Sequence, residues 1–166
     1  MHGLIFLQLQ KFAQQQAVIT RQRVGFYMVD SVLDASNPYV SPNMVNRSFF
    51  VMADVTTDVA HQQNFLTQVQ TLPGGMMFDF AGSSLRTLTL TDNNTGVPLF
   101  TARYFRFAPS GAVFQNDADL VANRRFDVVI TEGLAGPGDT YTKKTSGNVI
   151  KYTNSVNVFT GRVYKP

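Results

Sequence analysis

The residues able to do acid–base or metal chemistry are few, and their spacing keeps them apart. Histidine occurs only at His2 and His61, and there is no cysteine. A zinc site needs three or four nitrogen, sulfur or carboxylate ligands that converge, and no such spacing is written here. His61 could pair with Asp58, but a histidine in so polar a stretch is ordinarily solvated surface. Carboxylates cluster at Asp54/Asp58 and at Asp117/Asp119. Glycoside hydrolysis would need two opposed carboxylates, one with its pKa raised. Calcium would need the EF-hand spacing with its terminal Glu, which is absent. Aspartates in turn-rich stretches mostly cap their own backbone. The run "GLAGPGDT" resembles a dinucleotide loop only superficially, because Pro137 interrupts it and no helix pattern follows. Neither a nucleophile elbow nor a phosphate-loop lysine is present. Asn46 and Asn93 open glycosylation triplets with no secretory signal beside them. The chain is therefore expected not to be an enzyme and to carry no metal or cofactor.

The elements that position these residues read as strands. Short aromatic and β-branched runs occur at "VGFYMVDSVL", "RSFFVMADVTT", Phe65 to the Pro73-Gly74-Gly75 turn, Met76–Phe80 and "RRFDVVIT", with two more in "VIKYTNSVNVFTGRVYKP". Leu88 and Leu90 alternate with Thr87, Thr89 and Thr91, the pattern of a strand with one buried and one wet face. Turn chemistry punctuates them: Pro38 and Pro42 in "DASNPYVSPN", Pro73-Gly74-Gly75, "AGSS" and "DNNTG". Short strands with turns every eight to twelve residues indicate a sandwich or barrel. Two segments read as helix. In residues 3–16, Ile5, Leu9, Phe12 and Ala13 form an apolar stripe, although Ile5, Leu7 and Leu9 also alternate as on a strand. In "PLFTARYFRFA", Phe100, Arg103, Tyr104 and Phe107 share a helical face behind Pro98. The expected fold is mainly β (α+β), a β-sandwich or barrel with one or two packed helices. Residues 17–166 would form one β-rich domain, and residues 1–16 a docking segment whose Leu4, Ile5, Leu9 and Phe12 meet a neighbouring subunit.

Composition narrows the partners. The chain has 166 residues, one domain by size. Charged residues make up 15% against an ordinary value of about 25%, and so charge-poor a surface suits contact with other protein. Fourteen basic against 11 acidic residues give a net charge of +3. The basic residues are scattered in pairs rather than gathered on one face, as nucleic-acid binding usually requires. The apolar run Leu4–Leu7 is too short for a signal-peptide core or a membrane span, so cytoplasmic synthesis and no membrane partner are expected.

The stretch "TLPGGMMFDFAGSSLRTLTLTDNNTG" resembles a recurrent pattern of bacteriophage tail and baseplate proteins. There a strand ends in a leucine-glycine-glycine turn, and a short strand, a phenylalanine- or glycine-containing turn and an alternating Leu/Thr strand follow. The matching positions are Thr71, Leu72, Gly74, Gly75, Phe80, Gly82, Leu85, Leu88, Leu90, Thr95 and Gly96, with Arg47–Phe50 as the preceding strand. Asp92 stands where glycine is common, and Pro73 is inserted before the glycine pair. The resemblance implies a tail-tube-like β module that assembles as a homo-oligomeric ring, joining the tail tube to the baseplate or tip. Its partners would be other virion proteins, with nucleic acid touched at most non-specifically in the tail lumen, and its place would be the virion. Gly74, Gly75 and Gly82 would set the turns of a hairpin. Two alternatives stand beside this: a head, decoration or connector protein, and a carbohydrate-binding module using Tyr39, Tyr141 or Tyr152. Deleting residues 1–16 is expected to leave a folded domain that no longer assembles. The polar segment 133–148 is a second interface candidate, being long for an ordinary hairpin.

Overall fold

The computed structural model describes residues 4–53, 59–60, 65–83, 85–92, 94–114, 125–137, 140–157 and 163–164. It begins with a helix, α1 (Leu4–Thr20), rich in Leu, Gln and Ala and free of Gly and Pro. The helix ends where Val18, Ile19 and Thr20 follow one another and Arg21 turns to φ 55°, the left-handed conformation that commonly closes helices. Phe6, Gln10, Ala13 and Ala17 form its buried line, and the two alanines let it lie close on its support. The Phe6 ring sits 5.1 Å from Phe26, 5.4 Å from Phe49 and 5.6 Å from Phe78. Leu9 and Phe12 pack half-buried against the same core. Of the residues that read as a docking surface, Leu9 and Phe12 are thus turned toward the chain's own core, while the side chains of Leu4 and Ile5 lie outside the description. The segment is helix rather than strand, and it continues past residue 16.

Twelve strands follow: β1 (Val24–Val32), β2 (Ser48–Ala53), β3 (Val59–Ala60), β4 (Gln70–Thr71), β5 (Met76–Asp79), β6 (Arg86–Asp92), β7 (Pro98–Phe107), β8 (Val113–Phe114), β9 (Arg125–Ala135), β10 (Tyr141–Lys143), β11 (Lys151–Asn157) and β12 (Val163–Tyr164). The first sheet runs β3-β6-β7-β1-β2-β4, with β8 beside β7. The second has β9 paired with β10, β11 and β5, and β12 beyond β11. Pairing is antiparallel except for β3 with β6. Among the described residues the fold is mainly β with one α-helix, and their sheets do not close into a barrel.

Both faces of the first sheet are covered at its centre. Val24, Phe26 and Met28 of β1 point into a core shared with α1, β5 and β9, where Phe78, Phe126, Val128 and Ile130 meet Phe105 and Phe107. Tyr27 and Val29 point the other way, to Phe50, Met52, Leu90, Phe100 and Tyr104. This explains why "PLFTARYFRFA" is not the expected helix but β7, paired with β1 on one side and β6 on the other. A strand buried on both faces is apolar on both, and such a run mimics a helical stripe. Gly25 is required here by close approach, since a Cβ would lie 2.4 Å from the buried Tyr27 ring. The strand expected from Phe65 to the Pro73–Gly75 turn forms only in part: Phe65 makes a single bridge to Met52, and regular pairing is confined to the two residues of β4.

Thr71–Gly96 forms no hairpin. β4 belongs to the first sheet, β5 to the second and β6 again to the first, so the two glycine turns are corners between sheets. The first closes with the Met76 N–H donating to Pro73 O at 3.1 Å, and Gly75 adopts φ 83°. The second closes with Ser83 N–H to Phe80 O at 3.0 Å, and Gly82 adopts φ 70°. Space is open around both glycines and around Gly74. The requirement is therefore one of backbone angle alone, and Gly74 does not share it.

Two tests follow from this layout. Gly75→Ala and Gly82→Ala should each cost about 1–2 kcal/mol for the left-handed backbone, while Gly74→Ala stays within about 0.5 kcal/mol in urea unfolding. Phe6→Ala should cost about 3–5 kcal/mol. By the same reasoning, the chain lacking residues 1–16 should lose its cooperative unfolding transition rather than remain folded; a sharp transition at unchanged urea midpoint would contradict the packing of α1.

Candidate functional site

Each described carboxylate is engaged by its own fold. Asp34 accepts from the Ser36 hydroxyl at 2.6 Å and the Ser36 N–H at 2.9 Å, and these hold it below its ordinary pKa. Asp92 closes the β6–β7 turn by accepting the Asn94 N–H at 2.7 Å and the Thr95 N–H at 3.0 Å. The Thr95 and Asn94 donors likewise lower its pKa. Burial pushes Asp79 up, but the Lys143 ammonium at 2.5 Å and the Ala81 N–H outweigh it, and the net direction is down. Asp30 lies 3.5 Å from Arg103, and Asp127 accepts from Ser155. A general acid needs its pKa raised, whereas every resolved shift among the described residues is downward. No group of three or more His, Asp or Glu gathers among those residues. His2, His61, Asp54, Asp58, Asp117 and Asp119 lie outside them.

The segment 133–148 is built around Glu132, the chain's one glutamate. β9 continues through Ala135 and β10 pairs antiparallel with its end, so part of the segment expected to be long for an ordinary hairpin does pair as one. The chain then leaves the β9 edge and rejoins it at β11. Glu132 closes the neck of that excursion. Its backbone N–H donates to Ile150 O at 3.1 Å, and its backbone O accepts the Lys144 N–H at 3.0 Å. Its carboxylate accepts the Ile150 N–H and the Lys144 ammonium, both at 3.2 Å. The Ile150 N–H, then Lys144, hold the Glu132 pKa below its ordinary value. Beside the neck, Leu134, Ile150 and Tyr152 are large apolar side chains left exposed.

A second surface lies on β6. Thr87 and Thr89 are exposed, while Leu88 and Leu90 face the second core. β3 pairs in parallel with β6 at Thr91 and Asp92. Thr87 and Thr89 thus give β6 an uncharged, hydroxyl-bearing outer face.

Of the residues singled out from sequence, Leu4 and Ile5 lie in α1 and their side chains lie outside the description, while Leu9 and Phe12 face the core. Gly74, Gly75 and Gly82 sit at the two corners. The tyrosines are not alike. Tyr39 is stacked on Phe65 at 5.0 Å in an open groove of about 460 Å³. The Arg47 guanidinium covers Tyr141 at 3.9 Å, and Tyr152 is 37% exposed. Sequence reasoning did not single out Leu134 and Ile150, although each is an apolar residue standing in a polar stretch. No helix among the described residues is long and apolar enough to cross a membrane. Comparison with protein-family models, with curated proteins and with solved structures yields no match.

Proposed function

We propose that this protein is a structural subunit of a bacteriophage virion, in the tail or baseplate, that self-associates into a ring. The observation that carries the reading is β6, a Thr-rich strand whose Thr87 and Thr89 present an exposed, uncharged face. A heterologous contact repeated by rotation closes a ring, and uncharged threonines can be buried in it without stranding a charge. The tail-protein pattern over Thr71–Gly96 and the low charge content point the same way. In this reading no residue is catalytic. The carboxylates shape turns, and the product of the fold is an assembly that joins other tail proteins.

Size-exclusion chromatography with light scattering, and negative-stain images, test this. Wild type should form rings at raised concentration. The Thr87→Lys/Thr89→Lys double variant should keep its stability within about 0.5 kcal/mol, since both side chains are exposed, and should remain monomeric because the contact would have to bury two unpaired ammonium groups. Rings unchanged in the double variant would remove β6 as the contact. A wild-type chain monomeric at every concentration would remove self-assembly.

A further inference from the structure

We propose that Glu132 is an acid-released clasp: ionised, it holds the 144–150 loop shut against β9, and protonated it frees the Ile150 side of that loop. The geometry is specific. The loop leaves β10 at Lys144 and returns at Ile150, and one carboxylate oxygen touches both ends at 3.2 Å. Lys144 donates a further bond to Asn148 O at 3.1 Å, so the same ammonium links the clasp to the loop interior. Thr145 through Asn148 are exposed and Gly147 adopts φ 77°, leaving the tip with no core of its own. The loop's shape therefore rests on its neck.

The surrounding charges leave Glu132 as the group that acid would address. Lys144 faces it directly. On β10, Lys143 is engaged with Asp79 of β5 at 2.5 Å. Lys151 begins β11 next to Ile150, opposite Thr131 rather than Glu132. The β5 residue opposite Glu132 is Met76, which carries no charge. A carboxylate whose donors are present only in the closed loop binds its proton less readily there than in the open loop. The closing contribution is thus complete above the ordinary glutamate value of 4.5 and is lost as pH falls through the lower value of the closed loop. Release would displace Ile150, whose side chain is exposed, so any contact built on it would weaken in acid. This inference does not depend on the virion reading.

Amide hydrogen exchange followed by NMR, expressed as protection factors, tests it on the full-length chain. In wild type, Ile150 protection should fall about tenfold, the scale of one lost charged hydrogen bond, between pH 6 and pH 3. Phe26 and Tyr104, in the sheet core, should keep theirs. Glu132→Gln should show the low Ile150 value already at pH 6, with no further acid response. Asp79→Asn, which removes the neighbouring pair, should leave the response intact. The proposal is overturned if Glu132→Gln matches wild type at pH 6, or if Asp79→Asn abolishes the response. It is also overturned if wild-type Ile150 loses protection only together with Phe26 and Tyr104, an outcome that decides the matter even where the Gln variant fails to fold.

Discussion

The two sheets are held to each other by arginines that reach the corners where the chain crosses. Arg47 precedes β2 in the first sheet, and its guanidinium donates to Leu72 O at 3.0 Å and Met76 O at 3.4 Å, on either side of the Pro73–Gly75 turn. The same group lies flat over Tyr141 of the second sheet. Backbone bonds run in parallel, from Leu72 N–H to Arg47 O and from Phe78 N–H to Asn46 O. At the return corner, Arg103 of β7 donates to Leu85 O at 2.7 Å and lies over the Phe80 ring at 5.6 Å. The corners themselves are largely exposed, but the residues that flank them, Leu72, Met76 and Leu85, are buried, and unpaired buried carbonyls are costly. The planar, many-donor guanidinium can bond two of them and stack on a ring at once. Everything that follows from β5 lying in the second sheet depends on these corners holding.

With β5 in place, the aromatic core becomes continuous. Phe78 brings the second sheet to Phe6 of α1 and Phe49 of β2, while Phe26 and Phe105 stack at 5.3 Å on the first. Helix, first sheet and second sheet then bury their apolar faces against one another rather than against separate partners. The exposed features among the described residues lie at the periphery: the Thr87/Thr89 face of β6, the Glu132-closed loop with its exposed apolar neighbours, and the groove beside Tyr39. The charge-poor composition fits a molecule whose carboxylates are drawn into turns and necks, as Asp34, Asp92 and Glu132 are.

Much of this architecture can be read from the residues, and the exceptions have physical causes. The Leu/Thr alternation of β6, the aromatic runs of β1 and β2 and the turn glycines declare themselves because one face is wet or a backbone angle is special. β7 does not, since burial on both faces erases the period that separates strand from helix. The Thr71–Gly96 stretch shows its turns but not its destination: a glycine turn between two strands looks alike whether it closes a hairpin or sends the chain to another sheet. Arg47 carries no local signal, because its partners are the backbone of residues more than twenty positions away. On α1, Leu9 and Phe12 pack against the core because a helix stripe looks alike whether it meets another chain or the chain's own sheet. The exposed Leu134 lies within the polar segment 133–148 and Ile150 next to the expected strand at its end, and neither position carries a periodic signal that marks exposure.

Urea unfolding of Arg47 variants bears on the central claim, that these corners hold the sheets together. Arg47→Ala should lower stability by about 2 kcal/mol, the sum expected for half-buried charged hydrogen bonds and a ring contact. Arg47→Lys should recover less than half of that, since an ammonium cannot fork between Leu72 O and Met76 O while lying flat on Tyr141. Full stability in the Lys variant, or an Ala variant within about 0.5 kcal/mol of wild type, would contradict the account.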